Sequence, residues 1–155
     1  PGDGKVMIVF GATGERDQLK RPIMGAIAAQ NADIVIVTDD DPHGEEPAPI
    51  RAAVEEGAQK AQNRRAQQIL NISPRSAAID TAIALATEHD AILIAGRGHE
   101  TEQDVDGVDI ALDDRVETAR ALHAHGFEVL PDYRRMIDTA GAAQATETTE
   151  TAEGR

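Results

Sequence analysis

Three short loops hold most of the residues that could do chemistry, and each follows an apolar run. Their sequences are GATGERD at 11–17, TDDDPHG at 38–44 and GRGHE at 96–100. Ligands in open parallel sheets bind outside the carboxyl ends of the strands. If the three runs are parallel strands of one sheet, their loops converge, and the sequence therefore predicts one ligand-binding cleft.

The first loop could bind an anion. Its glycines would let backbone N–H groups approach a ligand, but the loop matches neither the G-x-x-x-x-G-K-[ST] phosphate loop nor the G-x-G-x-x-G dinucleotide turn. Two glycines after a strand are also typical of a plain tight turn. Arg16 could hold a carboxylate through two parallel charge-assisted hydrogen bonds, or it could be a solvated surface charge. Both interpretations stay open.

The second loop carries three consecutive carboxylates at 39–41. They repel one another, so the loop faces water or holds a cation, for which an ammonium group or Mg²⁺ would serve. Alternatively, Asp39 or Asp40 caps the next turn through its own backbone. His43 in such a position is more commonly a loop residue than a ligand.

The third loop pairs two glycines with two ionisable residues, His99 and Glu100. The glycines allow close backbone approach, which favours Glu100 as a ligand-binding residue. Adjacent residues on an extended chain point apart and no H-E-x-x-H spacing is present, so the pair is a poor metal site. His99 could instead hold the loop backbone. We expect no metal ligands in this chain.

The elements that must position these loops follow from apolar runs and helical spacing. The first helix should bury Ile23, Ala26, Ile27 and Ala29, Ser73 should be the N-cap of the third, and Asp113 or Asp114 that of the last. Strands are predicted at 5–10, 32–38, 69–72, 91–95 and 107–112, and helices at 21–30, 48–62, 74–86 and 114–125. This alternation predicts an α/β fold with an open, mostly parallel Rossmann-like sheet and helices on both faces.

Composition limits the classes of function. The chain of 155 residues has no cysteine, which excludes disulfides and thiolate metal sites, and its net charge of −13 opposes binding to nucleic acid or an anionic membrane. Without a long apolar run or signal peptide, we expect a cytoplasmic protein. Residues 1–137 should form one domain. Residues 138–155, an acidic tail rich in Ala, Thr and Glu, should be disordered.

Taken in order, the loop motifs resemble those of the C-terminal domain of the Mur ligases, specifically the diamino-acid-adding MurE type. The likeness spans about residues 5–127. Four family patterns are largely matched, in order, from Gly14, Thr38, Gly96 and Asp113. They are G-x-R-D-x-x-K-R-P-x-M, T-D-D-N-P-R with a following E-x-P, G-K-G-H-E and D-D-R. Several ordered motifs at matching spacing make the resemblance specific.

The resemblance implies part of a peptidoglycan-precursor ligase. Such enzymes use ATP to form an acyl phosphate on the D-glutamate carboxylate of UDP-MurNAc-L-Ala-D-Glu, which the amine of a diamino acid then attacks. ATP and Mg²⁺ are bound mainly by a central domain and the UDP-sugar by an N-terminal domain, both absent from this chain. We therefore expect no catalytic residue in this domain and no activity from it alone. The alternative is a stand-alone Rossmann-type nucleotide-binding domain.

The same resemblance implies an amino-acid site. Arg16 would hold the α-carboxylate of the incoming amino acid, and a further set would surround its side chain and far amine: Asp41, Pro42, His43, Gly44, Gly96 and Glu100. Supporting positions would be Asp17, Lys20, Asp40 and His99.

The chain departs from the family at 41–43, where Asp-Pro-His replaces Asn-Pro-Arg. The arginine that would grip a second carboxylate is missing, and histidine does not replace a bidentate guanidinium. A negative Asp41 would attract a terminal ammonium, so we expect L-lysine or L-ornithine as substrate rather than meso-diaminopimelate. Arg97 also stands where the family has lysine.

Overall fold

The main sheet has four parallel strands in the order β3-β2-β1-β4. In the computed structural model, which describes residues 3–140, these are β1 Val6–Phe10, β2 Ile34–Val37, β3 Gln68–Asn71 and β4 Ala91–Ile94. Each coincides with a predicted strand. Short runs of β-branched and aliphatic residues form strands because their side chains pack well on a pleated surface. The predicted open parallel α/β sheet is confirmed.

Helices cover both faces of this sheet, also as expected. Right-handed crossovers from β1 to β2 and from β2 to β3 put α1 (Lys20–Asn31) and α2 (Pro47–Gln59) on one face. The crossover from β3 back to β4 runs in the opposite direction, so α3 (Arg75–Leu85) lies on the other face, where α4 (Asp114–Ala124) joins it. The carboxyl ends of β1, β2 and β4 thus lie at one edge of the sheet.

The predicted buried face of α1 was partly wrong. Ile23 and Ile27 are 57% and 55% exposed, whereas Gly25, Ala28 and Ala29 are buried. The reason is a close contact between α1 and α2. A Cβ on Gly25 would lie 1.9 Å from the carbonyl oxygen of Val54, so the two backbones approach through this glycine. Small residues, not the aliphatic ones, therefore face the neighbouring helix.

Substituting Gly25 by Ala should force these helices apart. The added methyl would meet a backbone carbonyl that cannot rotate away. We expect the free energy of unfolding to fall by about 2 kcal/mol, because overpacking outweighs the roughly 1 kcal/mol gain in helix propensity. Urea denaturation of the variant measures this loss. Gly44→Ala is the control, since its Cβ would meet only the flexible Glu15 carboxylate; equal losses in both variants would contradict the close-contact account.

A two-stranded antiparallel hairpin lies outside the main sheet. It consists of β5 (Glu102–Val105), which the sequence did not predict, and β6 (Val108–Ala111), which it did. The polar sequence EQDV of β5 has little strand character, so its pairing depends on tertiary context. The hairpin docks on the second loop, where the N–H of Asp106 donates to the carbonyl oxygen of His43 at 2.8 Å.

The cap of α4 agrees with expectation, whereas the cap of α3 and the burial of β4 do not. Ser73 does not cap α3, because its hydroxyl donates to the Asp39 carboxylate and α3 has no side-chain cap. Asp113 does cap α4, accepting the N–H of Arg115 at 2.9 Å. Strand β4 is not fully buried, because it forms an edge of the sheet and leaves Leu93 55% exposed.

The C-terminal region begins differently from expectation. Residues 131–140 are helical, so ordered structure continues past residue 137, where we placed the start of the tail. The rest of the expected tail, 141–155, lies outside the described residues. Among the helices within 3–140, none combines the length and apolar character that a membrane crossing requires.

Candidate functional site

The three predicted loops meet at the carboxyl edge of the sheet, where they border two cavities. The first, of about 470 Å³, is lined mainly by the first loop. Its members from the predicted site are Arg16, Asp17, Lys20, Asp40 and Gly96. The second, of about 350 Å³, lies against the β5–β6 hairpin. It is lined by Asp41, His99, Glu100, Thr101, Glu102, Asp104 and Asp109.

Arg97 contacts residues that border each of these two cavities. Its side chain is fully buried, and its Nη1 forms an ion pair with Asp41 and lies 3.8 Å from Asp40 and 3.6 Å from Glu100. Its Nη2 donates to the carbonyl oxygen of Glu102. Asp40 borders the first cavity, whereas Asp41 and Glu100 border the second. One guanidinium therefore fixes the second loop, the third loop and the hairpin at the boundary between the cavities.

The three consecutive aspartates have different partners. Asp39 accepts from Arg51 and Ser73, and Asp41 pairs with Arg97. Asp40 accepts the N–H of Asp41 at 2.8 Å, which is the local backbone bond that we considered for this position. Arginines of the same chain thus supply a cation to each of the three, because Nη1 of Arg97 also lies 3.8 Å from Asp40. In residues 3–140, no three His, Asp or Glu side chains are grouped as metal ligands would be.

The first cavity has exposed cations at its mouth. Within the described part of the chain, Arg16 and Lys20 form no salt bridge, and both are exposed to solvent. The neighbouring Arg21 is buried and donates to both oxygens of Glu45, at 3.0 and 2.8 Å. The N–H of Glu15 and, after it, Arg21 lower the pKa of the Glu45 carboxyl. Arg21 therefore has a structural role, whereas Arg16 and Lys20 can reach an anionic ligand.

Pro42, His43 and Gly44 border neither of these two cavities. Pro42 is buried against Gly14, whose N–H donates to the carbonyl oxygen of Asp41 at 2.8 Å. His43 has a positive φ of 50°, and its Nδ1 lies 2.7 Å from Oδ2 of Asp104. That hydrogen bond raises the pKa of His43 and lowers the pKa of Asp104. This segment shapes the second loop from outside the cavities.

Arg75 is a third buried arginine, which sequence analysis did not identify. Its guanidinium donates to both carboxylate oxygens of Asp114, at 2.7 and 2.8 Å. It also donates to the carbonyl oxygens of Asp39 at 3.1 Å and Ala95 at 2.9 Å. Arg75 thereby ties α3 and α4 to the carboxyl ends of β2 and β4. The only available signal was Asp114 itself, in the matched D-D-R motif.

Comparisons with known proteins agree with this architecture. Residues 1–98 match the family model described as "Mur ligase, glutamate ligase domain". The 2,6-diaminopimelate-adding ligase of Caulobacter vibrioides, named UDP-N-acetylmuramoyl-L-alanyl-D-glutamate--2,6-diaminopimelate ligase, is 51% identical over 119 residues, covering 77% of this chain and 23% of that protein. The protein of the same name from Corynebacterium glutamicum is 48% identical over 122 residues, covering 77% and 24%.

A solved structure of a ligase with this name superimposes with a TM-score of 0.70 at 35% identity, covering 80% of this chain and 25% of that one. These matches define the chain as an α/β domain of a ligase family. The chain belongs to the Mur ligase family and corresponds to its C-terminal domain, as the loop motifs indicated. It spans about a quarter of the length of the relatives that it matches.

Proposed function

We propose that this chain is the amino-acid-binding domain of a longer ligase, which adds a diamino acid to UDP-MurNAc-L-Ala-D-Glu through an ATP-dependent acyl phosphate. The observation that carries the proposal is the cavity of about 470 Å³, which is lined by the exposed Arg16 and Lys20 together with Gly96. A carboxylate on the incoming amino acid would bind there. ATP, Mg²⁺ and the UDP-sugar would be bound mainly by the N-terminal and central domains, so the domain alone would be inactive.

In this proposal the residues have distinct roles. Arg16 binds the α-carboxylate, since a guanidinium can make two parallel hydrogen bonds to it. Gly96 contributes its backbone, and Glu100, which is exposed beside the second cavity, binds the far ammonium group. Asp17, Lys20 and His99 border the same cavities as supporting positions. Movement of the missing domains would bring the bound amine to the acyl phosphate.

The structure changes our expectation about the amino acid. We expect lysine or ornithine on two grounds, the missing arginine at position 43 and the extra negative charge of the Asp41 carboxylate; the structure bears on the second. That carboxylate pairs with Arg97, so its charge is largely cancelled before any ligand arrives. The similar proteins from two organisms carry 2,6-diaminopimelate in their names. We therefore propose 2,6-diaminopimelate as the substrate and the cytoplasm, where ATP is available, as the location.

A competition assay tests both the proposed reaction and the proposed amino-acid substrate. The full-length enzyme would receive ATP, Mg²⁺, UDP-MurNAc-L-Ala-D-Glu and equal amounts of meso-diaminopimelate, L-lysine and L-ornithine, with products resolved by mass. We expect mainly the diaminopimelate product. Arg16→Ala should raise the KM for the amino acid about 30-fold, because a hydrogen bond to a charged group contributes roughly 1.5–3 kcal/mol.

Arg64→Ala is the matched control, since Arg64 is an exposed arginine outside both cavities and should leave KM unchanged. Preferential incorporation of lysine or ornithine would overturn the choice of substrate but not the reaction. The absence of any amide product, or tight binding of NAD by this domain, would overturn the reaction itself in favour of a nucleotide-binding role.

A further inference from the structure

We propose that His43 and Asp104 form a pH-sensitive latch, in which protonated His43 holds the tip of the β5–β6 hairpin against the second loop and so keeps the hairpin side of the second cavity in place. The latch itself is a property of the described residues and does not depend on the reaction. Its effect on amino-acid binding rests on the function proposed above, so the two are tested by separate measurements.

The tip of the hairpin is joined to His43 through both backbone and side chain. The N–H of Asp106 donates to the carbonyl oxygen of His43 at 2.8 Å, and the N–H of His43 donates to that of Asp104 at 3.4 Å. Between the side chains, Nδ1 of His43 lies 2.7 Å from Oδ2 of Asp104. The other oxygen of Asp104 accepts the N–H of Gly107 at 2.9 Å, which orients the carboxylate toward the ring. One residue of the second loop therefore makes several of the contacts that dock the tip.

The base of the hairpin is held by groups that do not titrate near neutral pH. One is the Arg97 guanidinium, whose contact with the hairpin is described above. The side-chain amide of Gln103 donates to the carbonyl oxygen of Asp40 at 2.6 Å. The N–H of Leu112 donates to the carbonyl oxygen of Thr101 at 2.9 Å. A change in the charge of His43 should therefore loosen the tip and leave the base in place.

The surroundings of His43 favour its protonated form. The charged groups that act most on its ring are three carboxylates, of Asp104 on β5, Asp41 in its own loop and Glu15 in the first loop. Arg97 pairs with Asp41 and weakens that contribution. The hydrogen bond to Asp104 is the largest cause, and it raises the pKa of His43 above the ordinary value of 6.5 despite partial burial. The ion pair is therefore fully formed below pH 6.5 and is lost as the pH rises through the higher pKa of the folded chain.

The hairpin supplies part of the lining of the second cavity. Its carboxylates there are Glu102, Asp104 and Asp109, and Glu100 of the third loop lines the same cavity. Glu100 is the residue that, in our proposal, binds the far ammonium group of the amino acid. A docked hairpin keeps its carboxylates in this cavity, where they add to the attraction for a cation. Loosening of the tip should therefore weaken binding of the amino acid.

The latch is a consequence of the residue at position 43. The family pattern has arginine there, and an arginine keeps its charge at every pH at which proteins are folded. Histidine changes its charge near neutral pH. The substitution therefore converts a position of permanent positive charge into one that responds to pH, at the point where the hairpin meets the second loop.

NMR of the 155-residue chain tests the latch. A titration of the imidazole resonances should give His43 a pKa above 6.5, and Asp104→Asn should move this pKa toward 6.5 because it removes the carboxylate partner. Between about pH 6 and pH 9, hydrogen exchange should show the protection of the Asp106 amide falling about threefold, since a partly exposed ion pair contributes modestly. The amide of Leu112, at the base, is the internal control and should keep its protection.

His43→Asn removes the titrating group in the same experiment. Asparagine is among the residues that tolerate a positive φ, which is 50° at this position. In this variant we expect the protection of Asp106 to be low and independent of pH. A His43 pKa at or below 6.5, or the same pH dependence of Asp106 protection in the variant and the parent, would overturn the latch.

The KM for the amino acid, measured in the full-length enzyme, tests the effect on binding. At about pH 6 the KM of His43→Asn should be about threefold that of the parent, and the two should converge by about pH 9. The ratio of the two values cancels the titration of the substrate amines. His43→Arg, which stays charged, should keep a KM below that of His43→Asn at both pH values.

His89→Asn is the matched control, since His89 is an exposed histidine outside both cavities and its variant should follow the parent at each pH. A ratio of KM values that does not change with pH would overturn the effect on binding. The absence of any amide product would overturn the proposed function and the effect on binding with it, whereas the latch is decided by the NMR titration.

Discussion

Replacing Arg75 by Met is expected to lower the free energy of unfolding by about 3–5 kcal/mol, enough to abolish folding of a marginally stable chain. The Arg75 side chain is fully buried, and its partner Asp114 is 10% exposed. Removing the guanidinium leaves a buried carboxylate without its cation and two carbonyl oxygens, of Asp39 and Ala95, without their donor. Urea denaturation of the 155-residue chain measures the effect.

Arg65→Met is the control for this experiment. Arg65 makes the same kind of two-oxygen contact, to Asp33, but its side chain is 47% exposed. Solvent screens such a pair, so we expect a loss below about 1 kcal/mol. If the two variants lost equal stability, burial of Arg75 would not be what makes its ion pair important. If Arg75→Met does not fold, Arg75→Lys is measured instead. It keeps a cation but makes fewer hydrogen bonds, so its free energy of unfolding should lie between those of the parent and Arg75→Met.

The sheet was predictable because its strands carry their own signal. β1 and β2 are short runs of Val, Ile, Met and Phe, buried on most positions, and such runs bounded by turn residues have few alternatives. The buried side of α1 was not predictable, because Gly25 is buried by contact with the Val54 backbone of another helix. A pattern of apolar residues does not report where two backbones come close. The exposed Ile27 instead lines an apolar groove beside α1.

The site was predictable at the level of loops but not of partners. The positions of all three loops followed from strand ends, since parallel strands share a carboxyl edge. The partners of the aspartates did not, because Asp41 and Arg97 are 56 residues apart and a sequence does not pair charges over that separation. This omission contributed to the expectation of lysine or ornithine. A charge that appears free in a motif can be neutralised by a buried arginine elsewhere in the chain.

Two of the departures from the family pattern contact each other, which leads to a second prediction. Asp41 stands where the family has asparagine and Arg97 where it has lysine, and the two side chains form an ion pair. In the full-length enzyme, Arg97→Met should reduce kcat/KM for the amino acid about 100-fold, because displacement of binding groups by about 1 Å has effects of that size. Arg97 acts by positioning Asp41, Glu100 and the hairpin, since its side chain is fully buried and lines neither cavity.

A double-mutant cycle separates positioning from a general loss of structure. Asp41→Asn alone should change kcat/KM less than about threefold, because Arg97 keeps Asp40, Glu100 and the Glu102 carbonyl as partners. Combined with Arg97→Met, it should restore about tenfold of the lost activity by removing one partly buried, unpaired charge, a coupling of roughly 1.4 kcal/mol.

The KM values for ATP and UDP-MurNAc-L-Ala-D-Glu provide the second readout of this cycle. A positioning role in the amino-acid site predicts that both stay within about twofold of the parent enzyme while the KM for the amino acid rises. Arg97→Lys keeps a cation near Asp41 but loses the planar fork, so its kcat/KM should lie between those of Arg97→Met and the parent enzyme. Strictly additive effects of the two substitutions, or parallel changes in all three KM values, would show that Arg97 supports the fold without setting the geometry of the amino-acid site.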